Sequence, residues 1–189
     1  MFEILQQYIS SKANISKADF ENIQSVFVPK KLRKKQYFLQ EGDVCNRIAF
    51  ICNGCMRLYR VDAKGTEHIV QFAFENWWIT DRESALTKLP SMYNIDAIED
   101  TDMLMTTPEQ LDSLSLTIPA FGDMMRQLQA KNFIAIQKRI NATLSYSAEE
   151  KYRELLHLQP EILLRAPLSM VASYLGITRE TLSRIRNKM

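Results

Sequence analysis

The stretch Ala166-Pro-Leu-Ser-Met-Val-Ala-Ser-Tyr-Leu-Gly-Ile-Thr-Arg-Glu-Thr-Leu-Ser-Arg-Ile-Arg-Asn-Lys-Met189 reads as two short helices around Gly176. Pro167 suits the start of the first, where its missing N–H would have no partner in any case, and Leu168, Val171, Ala172 and Leu175 then share one apolar face. Gly176 stops that helix, because a tight turn needs a residue that tolerates positive φ. Thr178 is placed to cap the second helix. Leu182 and Ile185 point inward at i, i+3 spacing, which leaves Arg179, Glu180, Thr181, Ser183, Arg184 and Arg186 for a partner. Two short helices about a glycine turn predict a helix-turn-helix.

The residue types on the outer face of the second helix match duplex DNA. Arginine offers a forked pair of donors that fits guanine O6 and N7, and glutamate accepts from cytosine N4, so Arg179, Glu180 and Arg184 are candidates for reading G·C pairs. Thr181, Ser183, Arg186 and Lys188 suit phosphate oxygens, which set register and affinity without reading sequence. An isolated charged helix is ordinarily a solvated face. The adjoining apolar helix and the glycine turn single this one out.

The rest of the chain sets the frame. With 189 residues, 46% of them hydrophobic, it has material for one ordinary domain and a small second one. A formal net charge of +2 makes any nucleic-acid footprint local rather than global. Met1-Phe-Glu-Ile-Leu-Gln-Gln-Tyr-Ile9 lacks the basic start and continuous apolar run of a signal peptide, and no stretch approaches the length of a bilayer span. A cytoplasmic protein without membrane association is expected. Cys45, Cys52 and Cys55 fit a reducing compartment. Cys52-Asn-Gly-Cys55 has the spacing of half a zinc site, but only Cys45 and His68 remain to complete one, so small buried residues beside a hairpin, and no metal, are expected.

Residues 2 to 27 read as two helices, with Ser16 capping the second, Asp19 near the capping-box position, and Phe20, Ile23 and Phe27 along one side. From Tyr37 to about Thr107 short β-rich runs follow one another: Tyr37–Leu39, Ile48–Ile51, Met56–Val61, His68–Phe74, Ile95–Ile98 and Met103–Met105. The turn signals Glu41-Gly-Asp43, Asn53-Gly54 and Asp62-Ala-Lys-Gly65 separate them, which predicts a sandwich or barrel. A helical stretch from Asp81 to Leu89 interrupts the strands and ends at Pro90. From Ile118 to Ser145 the period becomes helical, with Met125, Leu128, Ile136, Ile140 and Leu144 recurring. So long an apolar stripe is most economically buried against its own copy in a two-fold dimer, although Asn132 breaks the seam. A further helix, Ala148 to Gln159, ends at Pro160 and leads through Pro160–Ala166 into the terminal pair.

This order of parts resembles the Crp/Fnr family of bacterial transcription regulators over nearly the whole chain. The motifs that carry the resemblance are Gln40-Glu-Gly-Asp43, Asn53-Gly54 before a strand, Lys64-Gly65, and Leu175-Gly-Ile-Thr-Arg-Glu-Thr-Leu-Ser-Arg184, the last being the most specific. The resemblance implies an α+β fold: N-terminal helices and an antiparallel β-roll of the cyclic-nucleotide-binding type over 1–117, a long dimerisation helix over 118–145, and a small all-α helix-turn-helix domain over 146–189. It implies a homodimer whose paired recognition helices bind a near-palindromic double-stranded DNA site through Arg179, Glu180 and Arg184. RNA polymerase is a further expected partner.

The chain departs from the family pattern at two places. Family members that bind cyclic nucleotides hold the phosphate with a Gly-Glu pair and a later Arg followed by Ser or Ala. Ile79-Thr80 and Tyr93-Asn94 stand there instead, and a branched apolar residue and a phenol supply neither the close backbone nor the fixed cation. Ile136 and Gln137 stand where hydroxyls would hold an adenine. Cyclic AMP is therefore not expected, no cofactor is assigned, and the pocket takes another ligand or none. Its candidate residues are Trp77, Trp78, Thr80, Arg82, Tyr93 and Asn94, the tryptophans serving either as pocket walls or as core anchors. Residues 1 to 44 hold no cysteine for an oxygen-sensing cluster, and His68 and His157 are the only histidines for a haem. The second departure is at Met189, after which the hairpin wing that usually follows the recognition helix has no residues here, so wing–phosphate contacts are not expected, and a cost in affinity more than in site choice is.

Two other classes were open. A cupin-like metal enzyme would need several histidines in the roll, which holds His68 alone, and no nucleophile triad, phosphate loop or paired-carboxylate motif stands out. A ligand-binding or adaptor protein without DNA binding would have no use for Arg179, Glu180 and Arg184 together.

Overall fold

The computed structural model describes residues 1–188; Met189, the last residue of the expected helix-turn-helix domain, lies outside them. In chain order the elements are α1 (Phe2–Ser10), α2 (Lys17–Ser25), β1 (Val28–Leu32), β2 (Tyr37–Leu39), β3 (Ile48–Asn53), β4 (Met56–Val61), β5 (Glu67–Ala73) and β6 (Trp78–Ile79). They continue as α3 (Arg82–Thr87), β7 (Asn94–Ala97), β8 (Thr101–Thr106), α4 (Pro108–Thr117), α5 (Pro119–Ser145), α6 (Ala148–Leu158), α7 (Pro160–Arg165), α8 (Leu168–Leu175) and α9 (Arg179–Lys188). The chain divides into two compact units. One holds Met1–Leu58 and Ala73–Gln129; the other holds Tyr59–Phe72 and the residues from Ala130 onward.

The strands form two four-stranded sheets, ordered β1-β8-β3-β6 and β2-β7-β4-β5. The pairs β1/β8, β3/β8, β3/β6 and β2/β7 are antiparallel. Strand β3 explains why the sequence there is continuously apolar rather than alternating: Ile51 faces a core shared with Met56, Leu58, Ile95 and Met103, while Phe50 faces a second core with Leu5, Ile9, Ile23, Leu104 and Phe121. The first core lies between the sheets, and the second is closed by α1, α2, α4 and the start of α5. Cys45, Cys52 and Cys55 are buried cysteines with no disulfide, Cys45 in the first core and Cys52 in the second. Burial pushes the Cys52 thiol up to about 11, which keeps it protonated at neutral pH.

Local signals fix the helix boundaries. Ser16 accepts from the Asp19 N–H at 3.1 Å, and Ser147 and Glu150 form a full capping box at the start of α6. Gly54 turns β3 into β4 with φ +102°, and a Cβ there would lie 2.6 Å from the Asp100 carbonyl oxygen and 2.6 Å from the Thr101 hydroxyl, so only glycine fits.

Four elements differ from the sequence reading, one of them the two-residue strand Trp78–Ile79, which pairs with Phe50 and Ala49 of β3. Val28–Leu32 is a strand although its pattern is not alternating; as a sheet edge it tolerates Pro29 and turns Lys30 and Lys31 outward. Pro108–Thr117 is a separate helix, because Thr107 and Gln110 make a reciprocal cap that a β-rich reading passes over. Pro160–Arg165, expected as a connection, is a short helix begun by its proline and held by buried Ile162.

In the second unit, Asp62 organises the tip of the β4–β5 hairpin. Its carboxylate accepts from the Lys64 and Thr66 N–H groups at 2.9 Å each and lies 2.9 Å from His68 Nε2. The hydrogen bond to His68, then that from Thr66, hold the Asp62 carboxyl down at about 2. Because the folded value lies below the unfolded one near 3.8, the stabilisation is present above pH 4 and is lost as pH falls through about 2. A carboxyl-carbon NMR titration should place the Asp62 midpoint near 2, and His68→Ala should move it up toward the ordinary range. Among the described residues no helix is long and apolar enough to cross a membrane, and no group of three or more His, Cys, Asp or Glu is gathered as a metal site.

Candidate nucleic-acid interface

Helix α8 buries Val171, Ala172 and Leu175, and α9 buries Leu182 and Ile185 against it, so the two helices pack through the residues that the 3.6-residue period marks. Pro167 caps α8 from outside instead of forming its first helical residue. Gly176 takes the left-handed conformation, φ 66° and ψ 36°, and the Ile177 N–H reaches back to the Ala172 carbonyl at 3.0 Å. That turn sets the direction in which α9 leaves.

Arg179, Glu180, Ser183, Arg184, Arg186, Asn187 and Lys188 of α9 are exposed, as is Thr178 just before it, and Thr181 is half-buried. Seven of the eight predicted contact residues are thus on one helix and the eighth, Thr178, stands at its start. Thr178 caps the helix by accepting from the Thr181 N–H at 3.2 Å and donates its own hydroxyl proton to Thr181 Oγ1 at 3.1 Å. Arg184 Nη2 donates to the same Thr181 oxygen at 3.3 Å, so its guanidinium is steered along the outer face before any ligand arrives. The Glu180 backbone N–H, then the Thr178 hydroxyl, then the charges of Arg179 and Arg184 hold the Glu180 carboxyl below its usual range. Glu180 is therefore an acceptor at neutral pH, flanked by two cationic forks. Arg186 and Lys188 in the last turn complement the helix dipole.

The predicted pocket residues lie in differing surroundings. Trp78 stacks on Phe50 at 5.1 Å and on Phe27 at 6.0 Å, an anchor of the core, while Trp77 is partly exposed and edge-on to Phe74 at 6.4 Å. Thr80 donates to the Arg47 carbonyl at 3.0 Å, Arg82 is exposed at the start of α3, Tyr93 leans on the core between the sheets, and buried Asn94 accepts from the Glu41 N–H at 3.0 Å. An open cavity of about 380 Å³ is lined by Phe38, Leu39, Asp43, Val44, Cys45 and Arg47 among others, and none of the six predicted residues lines it.

The sequence reading missed the group that organises this region. Asp81, 5% exposed, accepts from the Glu83 N–H at 3.1 Å, the Ser84 N–H at 3.4 Å and the Ser91 hydroxyl at 2.7 Å. Ser91 in turn exchanges backbone hydrogen bonds with Gly42 and Asp43 at 2.8 Å each. Asp81 two residues before Glu83 was a legible N-cap signal. Its consequence is that the N-terminal amides of α3 are already occupied by the protein's own carboxylate. Also unforeseen is the fork between Arg57 on β4 and Asp96 on β7, at 2.7 Å (Nε to Oδ1) and 2.9 Å (Nη2 to Oδ2), both residues 6% exposed.

The seam residues also divide. Ile136, Ile140 and Leu144 are 58%, 55% and 82% exposed, in company with Phe133 and Ile134, whereas Met125 and Leu128 are half-buried against the chain's own core.

Comparison with known proteins gives the following. The cyclic nucleotide-binding domain family matches residues 29–117. The chain is 25% identical to the regulatory protein HlyX of Actinobacillus pleuropneumoniae over 184 residues, 90% of this chain and 75% of that protein. Its fold is similar to that of FixK2 from Bradyrhizobium japonicum, with a TM-score of 0.72 at 18% identity, covering 86% of this chain and 84% of that one. It is similar also to a protein of Eubacterium rectale described as a transcriptional regulator of the crp/fnr family, with a TM-score of 0.65 at 18% identity over 92% of this chain and 83% of that one. Regulators, not enzymes, are what this chain resembles.

Proposed function

We propose that the chain is a member of the Crp/Fnr family and acts as a homodimeric, sequence-specific DNA-binding regulator whose roll takes a ligand other than a cyclic nucleotide, or none; the similarities to the cyclic nucleotide-binding domain, to HlyX and to solved regulators support this reading. The observation that carries this reading is the outer face of α9. Arg179, Glu180 and Arg184 stand exposed on a helix whose opposite side is buried through Leu182 and Ile185, as groove reading requires. Residues 1–117 serve as the sensor, 118–145 as the dimerisation helix and 146–189 as the DNA-binding domain. The exposed Phe133, Ile136, Ile140 and Leu144 are covered by the same face of a second copy, which pairs two recognition helices on half-sites about one DNA turn apart. RNA polymerase is the natural further partner, and the cytoplasm the natural compartment.

Asp81 supports the loss of cyclic-nucleotide binding. A phosphate at the N-terminus of α3 would have to displace a buried carboxylate of the same charge that already accepts three hydrogen bonds. The arginine that the family pattern places opposite the phosphate is replaced here by Tyr93. A cyclic nucleotide at millimolar concentration should leave the melting temperature unchanged.

The test is selection of bound duplexes from a random library by the purified protein, repeated with an Arg179→Ala/Arg184→Ala variant. An inverted repeat that only the unmodified protein enriches is the expected result. If nothing is enriched by either, the reading as a DNA-binding regulator fails and an adaptor role takes its place. Within the selected site, Arg184→Ala should cost about 1 to 3 kcal/mol and relax preference at one G·C pair. Lys188→Ala should weaken all sequences alike and lower the salt slope by about one. Titrations of specific and random DNA by fluorescence anisotropy separate the two, and equal losses on both for Arg184→Ala would remove it from the base-reading set.

A further inference from the structure

Along α5 beyond Gln129 the side chains are exposed with two exceptions, Ala142 and Arg139. Arg139 is engaged on several sides. Its Nη2 donates to the carbonyls of Ile69 at 3.2 Å and Tyr174 at 3.3 Å, its Nη1 donates to that of Val70, and the guanidinium lies 4.1 Å from the centre of the Tyr174 ring. The strand it touches, β5, is the last of its sheet, so the backbone groups on its outer side have no strand to pair with. Helix α8 serves them instead. The Ser173 hydroxyl donates to the Glu67 carbonyl at 2.7 Å and accepts from the Ile69 N–H at 3.0 Å, and the Phe72 ring packs 5.2 Å from Tyr174. One arginine thus ties together a strand edge, the first helix of the helix-turn-helix and the long helix, all within the second unit.

Ser173 and Tyr174 stand immediately before the Gly176 turn, so whatever fixes them fixes where α9 points. Three carbonyl oxygens and a ring face are a set that suits a planar, many-donor cation and not a point charge. We propose that Arg139, together with Ser173, is the positioning device that locks the helix-turn-helix onto the long helix in its DNA-reading placement. Under the dimeric reading above, on which this rests, Arg139 then sets the separation of the two recognition helices while leaving their base preference alone. It touches no base in this scheme.

The readout is the spacing of half-sites. Library selection with the unmodified protein should return an inverted repeat with one dominant spacing. Arg139→Ala should return the same half-site letters spread over several spacings, with at least a tenfold loss of preference for the original spacing over its one-base-pair neighbours. Arg139→Lys keeps the cation and loses the fork, so it should behave like the alanine variant. A merely destabilising change lowers all binding without moving the spacing, and a base contact changes the letters; either result overturns the proposal. A second measurement needs neither DNA nor a dimer. Hydrogen exchange at the Ile69 N–H and along α8 and α9 should accelerate tenfold or more in Arg139→Ala, with β3 amides unchanged as the control for folding. If the unmodified protein enriches no repeat, the DNA-binding reading falls, and the lock itself stands or falls on this exchange. Equal exchange in the two proteins overturns it.

Discussion

Asp96→Leu is expected to destabilise the protein by about 3 to 5 kcal/mol, because it leaves the Arg57 guanidinium in the interior without its carboxylate. Alternation along the strands explains why the pair exists. Met56 and Leu58 of β4, like Ile95 and Ala97 of β7, face the core between the sheets, so Arg57 and Asp96 are turned to the other face and meet each other there. That face is also closed to solvent, and a guanidinium that has lost its carboxylate fork there cannot be rehydrated without opening the sheet. The pair itself is no large source of stability, since removing two ions from water costs about as much as their attraction returns. The double variant Arg57→Met/Asp96→Leu should therefore recover most of what the single variant loses. Guanidinium unfolding with unchanged slope is the measurement. A loss below about 1 kcal/mol for Asp96→Leu would mean that water reaches Arg57.

The second large effect is expected at the other end of the long helix. Under the proposed dimeric reading, Ile136→Asp/Ile140→Asp should yield a monomer at micromolar concentration and lower affinity for an inverted repeat by about 10² to 10⁴-fold, the avidity that two linked half-sites supply. Both side chains are more than half exposed within one chain, so the melting temperature of the monomer should barely move. The loss would come from the interface: two carboxylates per chain would have to be desolvated against an apolar seam. Light scattering and titration on full and half sites read the two effects. A variant that remains dimeric would place the seam elsewhere than on Ile136 and Ile140.

Much of this molecule was legible where local chemistry is strong. Ser16, Gly176, Thr178 and the apolar period of α8 and α9 act within a few residues, and the helices begin and end where those signals place them. What the sequence concealed depends on distant partners. Val28–Leu32 becomes a strand because β8 lies alongside it, whatever its own pattern says. The Arg57–Asp96 fork joins residues 39 apart and the Ser173–Ile69 bond residues 104 apart, beyond the reach of any periodicity. In the roll, Trp77, Trp78 and Arg82 carry the conspicuous side chains, open to a reading as pocket walls or as core and surface residues, whereas the organising residue is Asp81, whose only advertisement is its place before a helix. Met125 and Leu128 share the helical period of Ile140 but not its surroundings, since α5 begins on the chain's own core and ends outside it.

The edge of β5 has a history as well as a place. On the ribosome it emerges early, with carbonyl and amide groups that any other strand could pair with. Ile69 must wait for Ser173, 104 residues further along, before its own amide is covered. At about 5 to 20 residues per second that interval is on the order of 5 to 20 seconds. During it the nascent chain carries an open strand, and α8, made long after β5, is what closes it. A chain interrupted before α8 would therefore keep that sticky edge for good, and aggregation rather than a tidy sensor fragment is what such a truncation should yield.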